Sequence, residues 1–147
     1  MQNSVSGQKT LTNDLPVFVI SLPQAIDRQA RVAEQFGKIG LSYTLWDGVD
    51  GLRDFDKLME VTDTRRWERN MGATVTAGHL GCYVAHVDLW RHLADLDADV
   101  ALICEDDVTF GPDFVDALTA ALDAPDAYDI LRFSKLRAKF PILQKRL

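Results

Sequence analysis

Two short apolar runs, Val17-Phe18-Val19-Ile20 and Val100-Ala101-Leu102-Ile103-Cys104, constrain this chain more than any other feature. Both have the length of a strand, and neither alternates with polar residues, which is the pattern of strands buried on both faces. Such strands belong to parallel sheets, whose connections are long and usually helical.

The sequence between and around the runs supplies those connections. After the first, Ser21 and Pro23 provide a cap-like residue and a helix-compatible proline; Ile26, Ala30, Ala33 and Phe36 follow at helical spacing, and Gly40 is a stop. Tyr43-Thr44-Leu45-Trp46 reads as a second strand, closed by the turn-forming Asp47-Gly48-Val49-Asp50-Gly51. Residues 52–75 form a charged excursion without a clear period. From Thr76 to Ala94, a stripe of Leu80, Tyr83, Val87, Trp90 and Ala94 predicts a helix, and Asp99 to Cys104 returns to a strand. Gly111-Pro112 introduces another helix with Phe114, Leu118 and Leu122 on one side, and Tyr128-Asp129-Ile130-Leu131 reads as a further strand. This alternation predicts an α/β sheet with helices packed on its faces. Ligands of such sheets meet the carboxyl ends of the strands.

At 147 residues and 47% hydrophobic content, the chain has enough apolar surface for one compact domain. Residues 1–15 are polar and aperiodic and read as a disordered segment, with the folded domain over 16–147. No apolar run approaches the ~18–20 residues that cross a bilayer, and the opening MQNSVSGQKTLTNDLP lacks the core of a secretory signal, so a cytoplasmic location is expected. Cys82 and Cys104 stand alone in different apolar segments and read as buried free thiols.

The net charge of −6 argues against general nucleic-acid binding. The charge is uneven, however. The final stretch RFSKLRAKFPILQKRL holds Arg132, Lys135, Arg137, Lys139, Lys145 and Arg146 without an acid, leaving ten bases against 22 acids in the rest. That basic segment has two readings: an interior piece of a longer domain, or a peripheral attachment to anionic lipids at the inner face of a membrane.

Chemistry concentrates where the second apolar run ends. Glu105, Asp106 and Asp107 emerge at the expected ligand-binding edge. Strand alternation puts Glu105 and Asp107 on one face and Asp106 on the other, whereas a turn starting there draws all three together. Mg²⁺ and Mn²⁺ take such hard oxygen donors together with substrate phosphates. The plainer reading makes the triplet an acidic approach to the helix near Pro112.

Arg28 and Arg31, close on the first helix, can reach an anionic ligand or stay solvated. Asp47, Asp50 and Gly51 form either a nucleotide-contacting loop or an ordinary turn, with Gly51 permitting close backbone approach. His79, Tyr83, His86 and Trp90 share one helix side, and Cys82 and His86 stand four apart. Without HExxH or paired CxxC ligands, a zinc site there is disfavoured, and His86 reads as a hydrogen-bonded packing residue. No GxGxxG, GxxxxGK[ST] or GxSxG occurs, which removes local support for dinucleotide, P-loop and hydrolase chemistry.

Taken together, PVFVISLPQAIDRQARV, YTLWDGVDG, AGHLGCYVAHVDLW and VALICEDDVTF resemble, in order and spacing, glycosyltransferase family 25, which includes bacterial lipopolysaccharide and lipooligosaccharide biosynthesis enzymes. The resemblance spans roughly residues 16–140. It implies a GT-A-like fold for nucleotide-diphosphosugar transfer, with a Rossmann-like sheet flanked by helices. It also implies a metal site at Glu105, Asp106 and Asp107 for Mn²⁺ or Mg²⁺, with Asp106 and Asp107 holding the ion and Glu105 coordinating or orienting. The donor-binding residues under this reading are Ser21, Arg28, Asp47, Asp50, Gly51 and His86. The implied reaction moves a hexose, often galactose, from a UDP-sugar to a glycan or glycolipid acceptor. Family members usually continue well past the equivalent of Leu147, so the resemblance implies an incomplete domain. The activity expected is therefore hexosyl transfer or, alternatively, only metal and nucleotide-sugar binding by an inactive remnant.

Overall fold

The first apolar run becomes the central strand. In the computed structural model, which describes residues 15–133, β1 (Val17–Ser21) lies between β2 (Thr44–Asp47) and β3 (Leu102–Glu105), all parallel, in the order β2-β1-β3. Five helices accompany them among the described residues: α1 (Ile26–Ile39), α2 (Phe55–Glu60), α3 (Thr64–Met71), α4 (Ala77–Ala94) and α5 (Phe114–Leu122). This is the expected Rossmann-like α/β arrangement of a small parallel sheet flanked by helices. The readings of residues 1–14 and of the basic segment from 134 onward lie outside the described residues.

Every residue of β1 is buried, because its two faces look into two different cores. Val17 and Val19 pack with Val32 and Phe36 of α1 and Leu118 of α5, while Phe18 and Ile20 pack with Ala85 and Leu89 of α4. Burial of that apolar surface is the main favourable contribution to the fold. A third cluster of Leu58, Val75 and Leu80, with Trp67 against it, ties the charged excursion to α4. That excursion therefore contains two short helices. Asp63 caps α3 through its Oδ1, which accepts from the Arg66 amide at 2.9 Å.

Two predicted helix faces are rotated. On α1 the buried residues are Val32 and Phe36, while Ile26, Ala30 and Ala33 are exposed. The two alanines offer little area to bury, so the larger Val32 and Phe36 set the orientation. The N-cap is Ala25, not Ser21, which ends β1; Gly40 does stop the helix, in the left-handed conformation at φ 67°. On α4 the buried residues are Leu80, Gly81, Ala85 and Leu89, whereas Tyr83 and Trp90 are half-exposed. Here a backbone contact decides. A Cβ on Gly51 would collide with the Ala77 carbonyl, and one on Gly81 would collide with the Val49 carbonyl. The loop after β2 thus lies directly on α4, and only small residues fit between.

The predicted strand at Tyr128–Leu131 is absent. After α5 the chain makes a short 3-10 turn, Pro125–Ala127, and the Tyr128 hydroxyl donates to the Ala121 carbonyl at 2.8 Å. Ile130 is 77% exposed. Without a neighbouring strand to pair its backbone, this four-residue segment gains nothing from extension.

The connections place the site. From β1 the chain reaches β2 through α1 on one face; from β2 it returns past β1 to β3 through α2, α3 and α4, with α4 on the opposite face. The strand order reverses between β1 and β3, so a crevice opens at their carboxyl ends.

Candidate functional site

The crevice is a cavity of about 620 Å³ whose walls come from five segments: the ends of β1 and β3, the loop after β2, the first turn of α1 and the first turns of α4. Ser21, Arg28, Asp50, Gly51, His86, Glu105 and Asp106 all line it. Asp47 does not: it ends β2 as an exposed residue, opposite Ser21 in the ladder.

The acidic triplet is divided. Glu105 is the last residue of β3 and is exposed toward the cavity, Asp106 is 8% exposed, and Asp107 is exposed again. Asp107 lines a separate pocket of about 230 Å³ with Arg31, Glu34 and Gln35. Asp106 borders both. Neither expectation holds as drawn: β3 ends at Glu105, and Asp106 and Asp107 lie in the turn that follows, so Glu105 and Asp107 face different pockets with Asp106 between them.

Asp106 is the buried carboxylate of the site. Arg28 Nη1 approaches its Oδ1 at 3.0 Å, and the Ser21 hydroxyl donates to its Oδ2 at 2.8 Å. Gln29 Nε2 adds a bond to the Leu22 carbonyl at 3.0 Å. A carboxylate this buried is tolerated because both oxygens are satisfied. Arg31 stands apart from this pair, at the smaller pocket.

On the loop, Asp50 Oδ1 accepts from the Leu52 and Arg53 amides, both at 3.1 Å, and its Oδ2 accepts from Gln24 Nε2 at 3.1 Å. Its first duty is to fix the turn that carries Gly51. Gly51 serves close backbone approach as expected, but toward α4.

On the facing wall, α4 brings Cys82 and His86 beside Glu105. Cys82 Sγ and His86 Nε2 each stand 3.8 Å from Glu105 Oε1, and His86 Nδ1 lies 2.9 Å from the Cys82 carbonyl. The reading of both cysteines as buried thiols holds for Cys104 and fails for Cys82, which is exposed at the cavity. Partial burial and the nearby Glu105 charge push the Cys82 thiol above its ordinary range. His86, a packing residue on spacing and a donor-binding one by the resemblance, lines the cavity.

Sequence reasoning placed the start of α4 but missed that it lines the cavity. Thr76, Ala77 and Gly78 line the cavity, and Thr76 Oγ1 accepts from the His79 amide at 3.3 Å as the N-cap. The Ala77 and Gly78 amides lie in the first helical turn, where no intrahelical acceptor exists. The signal was present as a Thr followed by two small residues, which lets a ligand approach the positive end of the helix dipole.

The family model described as glycosyltransferase family 25 (LPS biosynthesis protein) matches residues 14–142. A glycosyltransferase 25 family member of Drosophila pseudoobscura pseudoobscura is 28% identical over 84% of this chain and 21% of its own length. Procollagen galactosyltransferase 2 of Mus musculus is 24% identical over 67% of this chain and 16% of its own. The inactive glycosyltransferase 25 family member 3 of Homo sapiens is 29% identical over 76% of this chain and 19% of its own. The chain thus spans about a fifth of the length of the relatives it matches.

Proposed function

The chain belongs to glycosyltransferase family 25, and from that premise we propose that it transfers a hexose, galactose in the first instance, from a UDP-sugar to a lipopolysaccharide- or lipooligosaccharide-type glycan. The observation that carries the reading is the pairing of opposite polarities in one cavity. Arg28 and the first turn of α4 offer an anion-binding side, while Glu105 and Asp106 offer carboxylates. A sugar diphosphate with a divalent cation needs both. The galactose choice draws on the mouse relative's name, and the acceptor on the family description.

The donor set fits Mn²⁺ or Mg²⁺ in chemistry: Glu105 and Asp106 present hard oxygen atoms to the same cavity, and Asp107 follows at its border. When bound, such an ion neutralises the diphosphate leaving group as the anomeric C–O bond breaks. The remaining work falls to the chain. The α4 amides at Ala77 and Gly78 bind phosphate oxygens, Arg28 adds a guanidinium, and the Asp50 turn holds Gly51 against α4 to shape the floor. The acceptor hydroxyl attacks the anomeric carbon as the bond to the diphosphate breaks, and its proton passes to solvent. Cytoplasmic action, with attachment at the membrane face through the basic segment, belongs to the same proposal.

A second reading, donor binding without transfer, is favoured by one observation: Asp106 is already ion-paired with Arg28 and hydrogen-bonded by Ser21. Incubation with radiolabelled UDP-hexoses, Mn²⁺ and a truncated lipooligosaccharide distinguishes the two. Label should pass to the acceptor from one donor. UDP binding by calorimetry with no transfer from any donor leaves the second reading, and the absence of both rejects the site.

A further inference from the structure

We propose that Cys82, His86 and Glu105 form a binding site for Zn²⁺, a three-ligand site on the cavity wall whose fourth position faces the cavity. One donor atom from each residue lies within 4.8 Å of the other two, the one such group of Cys, His and acidic side chains among the described residues. Two ligands come from successive turns of α4 and the third from the end of β3. All three line the cavity.

The imidazole is already set for ligation. A carbonyl oxygen only accepts, so the 2.9 Å contact from His86 Nδ1 to the Cys82 carbonyl requires the proton on Nδ1. Nε2 then turns its lone pair toward Glu105 Oε1 at 3.8 Å, a distance too long for a hydrogen bond. Anchoring one ring nitrogen on a backbone carbonyl is the usual way proteins orient a metal-bound histidine. The Cys82 thiol donates to Glu105 Oε1 at 3.8 Å, while the Nε2 lone pair and the carboxylate repel unless a proton or a metal cation stands between them.

The spacing fits a small tetrahedral ion. With Zn–S about 2.3 Å and Zn–N and Zn–O about 2.0–2.1 Å, neighbouring ligand atoms lie about 3.3–3.6 Å apart. The two edges to Glu105 are 3.8 Å, a few tenths of an ångström longer than that, and the third, from Cys82 Sγ to His86, is within 4.8 Å. Sulfur and imidazole select Zn²⁺ over Mn²⁺ or Mg²⁺, which prefer oxygen. On binding, the Cys82 proton leaves to solvent and the thiolate takes its place at the metal. Glu105 is shared with the cation site of the proposed transferase, so zinc here withdraws one ligand from it. The zinc site itself stands whether or not the donor reading holds.

The experiment titrates the 147-residue chain with Co²⁺, then with Zn²⁺. We expect one equivalent of Co²⁺ to produce a sulfur-to-cobalt charge-transfer band that Zn²⁺ abolishes. Cys82→Ser should remove the band, and His86→Gln or Glu105→Gln should weaken binding about 10-fold or more. Cys104→Ser and Asp107→Asn should leave it unchanged. Circular dichroism reports whether each variant is folded. For the unaltered chain, Zn²⁺ should also protect Cys82 from alkylation, which needs no substitution. A folded chain with no sulfur band, a band that survives Cys82→Ser, or no protection from alkylation overturns the proposal. Mn²⁺-dependent UDP binding that persists in Cys82→Ser separates this site from the donor site.

Discussion

Arg28 Nη1 stands 3.0 Å from Asp106 Oδ1, so the first turn of α1 is tied to the end of β3 across the carboxyl edge of the sheet. The Ser21 hydroxyl holds the other oxygen of the same carboxylate at 2.8 Å. Three separate segments therefore converge on one buried acid.

Removing that acid should cost stability as well as ligand binding. The Arg28 end is 44% exposed, so the ion pair alone contributes under about 1 kcal/mol. The buried bond to Ser21 matters more: Asp106→Ala removes it and leaves the hydroxyl only longer contacts, to the Leu22 carbonyl at 3.3 Å and from Gln29 Nε2 at 3.4 Å, at a cost of roughly 1–3 kcal/mol. Asp106→Asn keeps an acceptor for Ser21 and should lose less. Urea denaturation of the two variants checks the order, and equal losses would mean that Ser21 is not the controlling partner.

The division of the acidic triplet predicts unequal roles. Glu105 faces the main cavity and Asp107 the smaller pocket. Glu105→Gln should weaken Mn²⁺-dependent UDP binding about tenfold or more, while Asp107→Asn should have the smaller effect. Calorimetry with UDP at fixed Mn²⁺ reads both. The reverse order would place the cation on the other side of Asp106.

The glycine contact between the loop and α4 gives a third test. Gly51→Ala and Gly81→Ala each drive a methyl group into backbone, where no side chain can move aside. Overpacking of this kind costs about 1–3 kcal/mol or more. Both variants should melt earlier, while Gly78→Ala, which meets nothing within 4 Å, should melt near the parent temperature.

How much was legible follows from which forces act locally. The strands at 17–20 and 102–104 were readable because unbroken apolar runs have few other uses, and Gly40 because a left-handed stop favours glycine. The faces of α1 and α4 were not, since Val32 outranks the alanines only once the sheet is in place, and Gly81 faces inward only because Gly51 lies on it. At the site, Glu105 and Asp106 were legible from their place after an apolar strand, whereas the split from Asp107 depends on where the strand ends. Cys82 looked like packing in a list of apolar neighbours; its exposure depends on the orientation of α4.

The two thiols should also separate by pH. Burial pushes Cys104 from 9.0 up to about 11. In the unfolded chain the thiol ionises first as pH rises, so between those values the unfolded state binds fewer protons than the folded state. Stability from this group is therefore fully present below about pH 9 and is lost progressively toward 11, by about 1.4 kcal/mol for each pH unit. Cys104→Ala lowers stability through the cavity it leaves, yet it removes this particular slope. The gap between parent and variant, measured by urea denaturation, should narrow from about pH 9 upward. A constant gap would mean that Cys104 ionises alike in both states. Iodoacetamide at neutral pH gives the companion reading: exposed Cys82 should react, more slowly than a free thiol because its ionisation is also pushed up, and Cys104 should react only on unfolding.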